Sequence, residues 1–221
     1  MELTSGEKKV LSGISFNADR IAVGELDENE TEILKEMRSV GDYLKEKYPS
    51  YNLEITGCEP KSGTVRDYDE WYFESPSSDD NALTGIALFY DKDTSFEIRD
   101  NFYGEIIKAS MAEQIEKALA PSASIIDIKI SFFEYLGKEY GEDISSRDVL
   151  CGKIKAGNNI KLFVDASGID PDDLDSKVSE IKKLLSKASV VGDIYVIFLK
   201  SSDADPLRDR VYSDDFTLGG F

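Results

Sequence analysis

Apolar residues recur at every third or fourth position in the first third of the chain, which predicts an amphipathic helix there. The helix is expected to begin at Asp27, because Asp27 and Glu30 have the spacing of a capping box. It is expected to end before Pro49, whose ring disfavours helix at the preceding residue. The apolar face consists of Ile33, Leu34, Met37, Val40, Tyr43 and Leu44.

Two further helices follow from the same periodicity. One is predicted from Asp100 or Asn101 to about Leu119, with Phe102 packing on a sheet. The other covers DLDSKVSEIKKLLSKA, after an Asp-Pro start at residues 170–171 that is typical of a helix cap.

Between the helices the period changes to two, which is typical of strands. Residues 52–100 hold four such segments in a row, NLEITGCE, DEWYFES, LTGIALFYD and FEIRD, and predict an antiparallel meander. IIDIKISF, NIKLFVDA and DIYVIFLK predict three more strands, the last two flanking the third helix. FEYLGKEYGEDIS, with two glycines, stays ambiguous between loop and regular structure.

These elements predict an α+β protein whose helices cover a mostly antiparallel sheet, in the order α-β-β-β-β-α-β and then β-α-β. Two stacked units divided near residues 140–155 are one arrangement of this order. The predicted organisation is an N-terminal arm with one short strand, an α+β unit, a β-α-β unit packed on it and a polar C-terminal tail, at residues 1–26, 27–140, 141–200 and 201–221.

The stretch EWYFESPSSDDN, residues 70–81, holds the only tryptophan of the chain. Alternation places Trp71 and Phe73 on one sheet face and Glu70, Tyr72 and Glu74 on the other. An ordinary half-buried strand is the first interpretation. The second is a partner-binding patch on an exposed edge formed by residues 66–81, with contacts from Glu70, Trp71, Tyr72, Glu74, Asp79 and Asp80.

The charge of the chain narrows the class of partner. Its 44 acidic and 26 basic residues give a net charge of −18, and such a field repels nucleic-acid backbones and anionic membrane surfaces. The remaining explanations are a basic partner protein, divalent cations or solubility alone. The oligomeric state stays open.

Catalytic chemistry has few candidates. Histidine is absent, which excludes His-based nucleophile pairs and His-ligated zinc. Cys58 and Cys151 lack metal or redox spacing, and two buried free thiols are favoured over a disulfide. We therefore expect no catalytic, cofactor-binding or metal-binding residue. A carboxylate-based enzyme that acts on a sugar-like substrate, with Trp71 stacking a sugar, is the alternative.

Two acidic segments resemble metal loops. DKDTSFEIRDNF places Phe96 and Phe102 where an EF-hand needs Gly and Glu, so it predicts a β-turn between strands. The acids of DPDDLD, residues 170–175, are explained by helix capping.

The chain has no apolar run of about 18 residues and therefore no predicted membrane span. MELTSGEKKVLSG, at residues 1–13, has no apolar core of a signal peptide. The expected location is cytoplasmic as the sequence stands, or extracytoplasmic if an N-terminal anchor precedes it.

A pattern of YLKEKYP at a helix end, the strand YNLEITGCEP, ALFYDKD and FEIRDNFYGEII resembles uncharacterised bacterial α+β domains, over residues 30–135. Its strongest part is DNFYG, residues 100–104. The resemblance implies an extracytoplasmic domain behind a lipid or transmembrane anchor, with no assigned activity. A non-enzymatic acidic binding module is therefore the leading hypothesis, either as such a domain or as an immunity-type inhibitor of a basic toxin.

Overall fold

The computed structural model describes residues 2–76, 82–92, 95–120 and 122–219. It confirms the α+β class, the predicted order of the main elements and the presence of two units. The first unit contains Met1–Glu105 and Tyr135–Ile144, and the second contains Ile106–Glu134 and Ser145–Phe221. No described helix is long and apolar enough to cross a membrane.

The first unit begins with helices α1 (Ser5–Ile14), α2 (Ala18–Ala22) and α3 (Glu28–Lys47). The capping box predicted for α3 is confirmed, since Asp27 accepts from the Glu30 backbone and Glu30 accepts from that of Asp27. The segment predicted as an arm with a short strand is helical instead. A second capping box, between Thr4 and Glu7, starts α1.

This N-terminal segment is part of the core of the first unit. Leu11 and Ile21 are fully buried, and they cluster with Leu34 of α3. Burial of large aliphatic side chains of this kind contributes about 1.5 to 3 kcal/mol each. The segment therefore packs as two helices, because its apolar residues have a partner surface on α3.

Four antiparallel strands complete the first unit in sequential order: β1 (Glu54–Glu59), β2 (Asp69–Ser75), β3 (Leu83–Lys92) and β4 (Ser95–Asp100). β2 pairs with β1 on one side and with β3 on the other. The expectation that residues 66–81 form an exposed edge is therefore wrong for the described part of that segment. The edges of this sheet are β1 and β4.

The second unit holds a sheet of four strands in sequential order, β5 (Ile125–Phe132), β6 (Asn158–Asp165), β7 (Gly192–Leu199) and β8 (Arg210–Leu218). Its helices are α4 (Tyr103–Leu119), whose first three residues belong to the first unit, α5 (Ser146–Leu150) and α6 (Leu174–Lys187). β6 and β7 are parallel and joined through α6, and the other pairs are antiparallel. Asp170 caps the turn that leads into α6, as predicted.

Two boundaries differ from the sequence expectation. The structure assigns most of α4, and β5, to the second unit, because β5 pairs along its length with β6. Residues 201–221, expected to be a polar tail, contain β8. This strand pairs with β7 and turns Leu218 into the core, where it is 9% exposed.

Candidate protein-binding cleft

The residues of the predicted patch lie on two faces of the first sheet. Trp71 is 1% exposed, and its indole Nε1 donates to Glu36 Oε1 of α3 over 2.5 Å. Trp71 is thus a core residue, which corrects its proposed role as a surface contact and answers the question that the alternation left open. Asp79 and Asp80 lie outside the described residues.

The opposite face carries Glu70, Tyr72 and Glu74, each half-buried. Arg66 binds Glu70 over 2.9 Å and Glu59 over 3.2 Å. The Tyr72 hydroxyl lies within hydrogen-bond distance of the same two carboxylates and shares its one proton between them. The charge of Glu70 is therefore largely compensated within the chain. The partner-binding role of Glu70, Tyr72 and Glu74 stays a prediction.

The carboxyl of Glu36, which accepts the hydrogen bond from Trp71, has a strongly shifted pKa. Burial, reinforced by the negative charge of Asp69, raises the pKa of Glu36 to about 7, although the hydrogen bond from Trp71 opposes the shift. Cys58 lies opposite Trp71 in register, and burial beside Glu36 raises the pKa of its thiol. Both cysteines are free, as favoured from the sequence, but each is half-buried and not fully buried as expected.

A buried polar cluster lies between α3 and the end of β4. Lys47 Nζ is 2.6 Å from Asp100 Oδ2, and both side chains are fully buried. The hydroxyls of Tyr43 and Tyr48 each donate to Asp100 over 2.7 Å, and the Phe102 backbone N–H donates to Oδ1 over 2.9 Å. Every acceptor position of the carboxylate thus faces a donor, which makes a buried charge tolerable.

The hydrogen-bond donors of this cluster keep their protons. Burial, with the Asp100 carboxylate beside them, raises the pKa of the Tyr43 and Tyr48 phenols, so both stay protonated. Burial lowers the pKa of Lys47, and Asp100 opposes that shift. The ion pair therefore stabilises the charged form of a lysine that burial alone would favour neutral.

The same cluster holds residues 135–139, which belong to the second stretch of chain in the first unit. Lys47 Nζ donates to the Leu136 carbonyl over 2.9 Å, and the backbones of Leu136 and Asp100 exchange two hydrogen bonds of 2.9 and 3.1 Å. Beyond Leu136 the chain turns at Gly137, and Lys138 reaches Glu46 of α3 over 2.6 Å. These contacts fix residues 135–139 beside β4 without covering most of its outer edge.

The result is a cleft of about 610 Å³. Its walls come from three parts of the first unit: the C-terminal half of α3, the outer edge of β4 and the segment 135–139. We call this space the β4 cleft. The lining residues are Ser39, Asp42, Tyr43, Glu46, Phe96, Glu97, Ile98, Arg99, Tyr135, Leu136, Gly137, Lys138 and Glu139.

The β4 cleft combines an apolar floor, formed by the almost fully buried Ile98 and Leu136, with an excess of negative charge. Phe96 is 54% exposed at its rim, and it stacks on Phe89 of β3 with ring centroids 5.2 Å apart.

The lining holds four carboxylates and two cations. Among the described residues, Asp42 and Glu139 have no ion-pair partner within 4 Å, whereas Glu97 binds both Arg99 and Lys92. Arg99 and Lys47 lie close enough to Glu139 to interact with it electrostatically but do not form a direct ion pair with it.

A metal site has no support in the described part of the chain, where no three His, Cys, Asp or Glu residues come together to hold an ion. In the segment that resembles a calcium loop, Asp91 lies in β3 and Ser95 is the first residue of β4. Residues 93 and 94 lie outside the described residues.

No motif or periodicity in the sequence indicated the β4 cleft. The signals that could have pointed to it were the position of FEIRD as the last strand of a meander, and hence an edge, and the apolar Phe96 beside charged neighbours. The segment 135–139 carried no usable pattern, because two glycines interrupt any period.

Comparisons with known proteins do not identify a family for this chain. No family model and no curated protein matches the chain. Among solved structures it is similar to the crystal structure of a DUF5037 family protein from Ruminococcus gnavus, at 18% identity over 75% of each chain and a TM-score of 0.37. A likeness at that level supports no statement about function or site residues.

Proposed function

We propose that this protein is a non-enzymatic binding module whose β4 cleft holds a basic segment of a partner protein. The observation that carries the proposal is the composition of the cleft, where an exposed aromatic ring and apolar floor lie beside four carboxylates and only two cations. Apolar anchors with a charged rim are typical of sites that recognise a protein segment.

Charge complementarity supports a basic partner. Glu46 is paired with Lys138, and Glu97 with Arg99 and Lys92. Within the described chain, Asp42 and Glu139 are therefore the cleft carboxylates without a direct ion pair that can attract Lys or Arg side chains. The net charge of −18 adds a long-range field of the same sign. Such a field accelerates encounter with a basic protein and loses its effect as salt is added.

Two biological settings share this partner chemistry. One is an extracytoplasmic domain that binds a basic ligand protein, and the other is an immunity-type inhibitor that blocks a basic toxin. A toxin encoded beside the gene would favour the second. A leader or anchor encoded upstream would favour the first.

The carboxylate-based enzyme is less well supported than the binding module. Trp71, the residue expected to stack a sugar, is 1% exposed and hydrogen-bonded to Glu36. Glu36, with a pKa raised to about 7, has the protonation range of a general acid. Hydrolysis of model glycosides that disappears in Glu36→Gln would support the enzyme instead.

Selection from a random peptide library tests the binding proposal. The library is selected on the wild-type protein after depletion on the double variant Asp42→Asn, Glu139→Gln, so that only peptides requiring the cleft charges remain. We expect enrichment of Lys and Arg together with apolar residues. Failure to enrich any peptide over the depleted background, or enrichment of acidic peptides, would contradict the proposal.

A further inference from the structure

The outer edge of β4 begins to pair with another strand and then stops. Asp100 and Leu136 exchange both of their backbone hydrogen bonds, from Asp100 N to Leu136 O and from Leu136 N to Asp100 O, as one antiparallel bridge. A strand that continued antiparallel from Leu136 would place Lys138 opposite Ile98 and Tyr140 opposite Phe96. Instead, Tyr140 N donates to Gly137 O over 3.2 Å, and the chain turns away.

The alternation of an antiparallel ladder fixes which backbone groups face the β4 cleft. Because the N–H and C=O of Asp100 both point to Leu136, its pairing with Ala87 of β3 is a non-hydrogen-bonded one. Two and four residues earlier, Ile98 and Phe96 repeat that orientation. The odd-numbered residues point the opposite way, toward β3: the Asn101 backbone N–H donates to Ile86 O over 3.2 Å, as the alternation requires.

The N–H and C=O groups of Phe96 and Ile98 therefore point out of the sheet into the β4 cleft. Among the described residues, no backbone group outside the sheet hydrogen-bonds to them. The side chains beside this edge are an exposed phenyl ring, at Phe96, and the carboxylates Asp42 and Glu139 across the cleft.

We propose that the partner contributes an extended segment bearing Lys or Arg, which lies in the β4 cleft as a fifth strand of the first sheet. This inference rests on the proposed function, since it names how the basic partner binds at the same site. Main-chain hydrogen bonds to Phe96 and Ile98 supply affinity, and alternate side chains of the guest reach the apolar floor and the two carboxylates.

The choice of an added strand over a docked helix follows from these groups. A helix satisfies its own backbone, so it would cover the outward N–H and C=O groups of β4 without pairing them, at a desolvation cost. An extended segment pairs them. A second copy of this chain is disfavoured as the occupant, because two surfaces with the same negative excess would meet.

The first test uses a matched pair of variants, Phe96→Pro and Phe96→Val. Both remove the ring, but only proline removes the outward N–H, and proline is tolerated on an edge strand where the N–H faces solvent. With a cleft-dependent peptide from the selection, we expect Phe96→Pro to bind at least about tenfold more weakly than Phe96→Val. Equal affinities of the two folded variants would overturn the added-strand mode.

The second test does not depend on a variant that folds. Amide hydrogen exchange is measured on the wild-type protein with and without the same peptide, and with a copy N-methylated at alternate residues. We expect the peptide to slow exchange at Phe96 and Ile98 by at least about tenfold, with little change at Glu97 and Arg99, whose N–H groups already face β3. Two such copies are compared, one N-methylated at the odd-numbered and one at the even-numbered peptide residues. We expect the copy whose methyl groups lie on the N–H groups that face β4 to lose binding, and the other copy to keep it.

The outcomes separate the two proposals. Binding that requires Asp42 and Glu139 but gives no protection at Phe96 and Ile98 overturns the added strand and leaves the binding function intact. A complete absence of cleft-dependent peptides overturns both. Protection at the two residues together with the N-methylation effect supports both.

Discussion

Lys47 and Asp100 form a fully buried ion pair of 2.6 Å that connects α3 to the last strand of the first sheet. The two residues also hold Leu136, since Lys47 donates to its carbonyl and Asp100 pairs with its backbone. The pair therefore stabilises the unit and places one wall of the β4 cleft.

We expect Lys47→Met to lower the free energy of unfolding by about 3 to 5 kcal/mol, because it leaves the Asp100 charge buried without its cation. The double variant Lys47→Met, Asp100→Asn should lose much less than the sum of the single variants, since the two residues act as one unit. Urea denaturation of the wild type, Lys47→Met, Asp100→Asn and the double variant gives the coupling energy between the two residues.

Lys35→Met is the matched control for that experiment. Lys35 lies on the same helix and also contacts a carboxylate over 2.6 Å, that of Glu32, but both side chains are more than 60% exposed. Its loss should change stability by less than about 1 kcal/mol. Equal effects at Lys35 and Lys47 would show that burial does not decide the strength of the pair.

The raised pKa of Glu36 predicts a pH dependence of stability. A carboxyl whose pKa is about 7 in the folded state and 4.5 when unfolded binds its proton more tightly when folded. Its contribution is thus complete below pH 4.5 and is lost as the pH rises through 7. Allowing for the solvent screening of a half-buried group, we expect a loss of about 1 to 2 kcal/mol.

Glu36→Gln should remove this term, because the amide oxygen still accepts from Trp71 but does not titrate. The difference in stability between Glu36→Gln and wild type, measured by urea denaturation from pH 4.5 to 8, should grow in favour of the variant as the pH rises. The difference between the variant and the wild type reports the contribution of the side chain at position 36. A difference that stays constant with pH would refute the assignment of a raised pKa.

Trp71 is expected to act as a core residue and not as a binding residue. Trp71→Ala should cost about 3 to 5 kcal/mol of stability, given its burial. Under conditions where the variant remains folded, its affinity for cleft-dependent peptides should match that of the wild type. In the wild type, the single tryptophan should be protected from acrylamide quenching until the protein unfolds, and full quenching of the native protein would place it on the surface.

Gly85 is required by a cross-strand contact. It lies opposite Phe73, and a Cβ at Gly85 would come within 2.4 Å of the Phe73 ring, which is itself 1% exposed and unable to move away. Gly85→Ala should destabilise the first unit by about 1 to 3 kcal/mol.

Gly13, in α1, provides the opposite control, because a Cβ there meets nothing within 4 Å. Gly13→Ala should raise stability by about 0.5 to 1 kcal/mol through helix propensity. Thermal unfolding measured on both variants gives the two signs, and stabilisation by Gly85→Ala would contradict the packing described for Phe73.

The periodic parts of the sequence predicted the periodic parts of the fold. The capping box at Asp27 and the apolar steps to Leu44 identified α3, and the alternation around Trp71 correctly separated its face from that of Glu70 and Tyr72. Strand β8 was not predicted because acidic residues surround Tyr212 and Phe216 and hide the alternation of apolar residues in the sequence. The strand is defined by its pairing with β7.

The candidate site could not be predicted in the same way, because it depends on contacts between distant residues. Lys47 and Asp100 are separated by 53 positions, and Leu136 lies 89 positions from Lys47. Nothing local in YLKEKYP indicates that one of its lysines is buried among two tyrosines and a carboxylate. The edge position of β4 was implied by the meander, but its closeness to residues 135–139 was not.

Asp42 and Glu139 are the residues through which we propose that the β4 cleft binds a basic segment. The most informative measurement is the affinity of one peptide, selected on the wild type without the depletion step, for three proteins at about 50 and 300 mM NaCl: the wild type, Asp42→Asn with Glu139→Gln, and Glu113→Gln with Glu116→Gln. The last variant removes the same charge from two exposed carboxylates of α4 that lie outside the cleft lining.

We expect the cleft variant to bind about 5- to 20-fold more weakly than the wild type at low salt, and the control variant to bind within about twofold of it. High salt should weaken the wild type most and bring it close to the cleft variant, because exposed charges are screened. Equal affinities of the cleft and control variants, or wild-type binding that does not change with salt, would contradict the account.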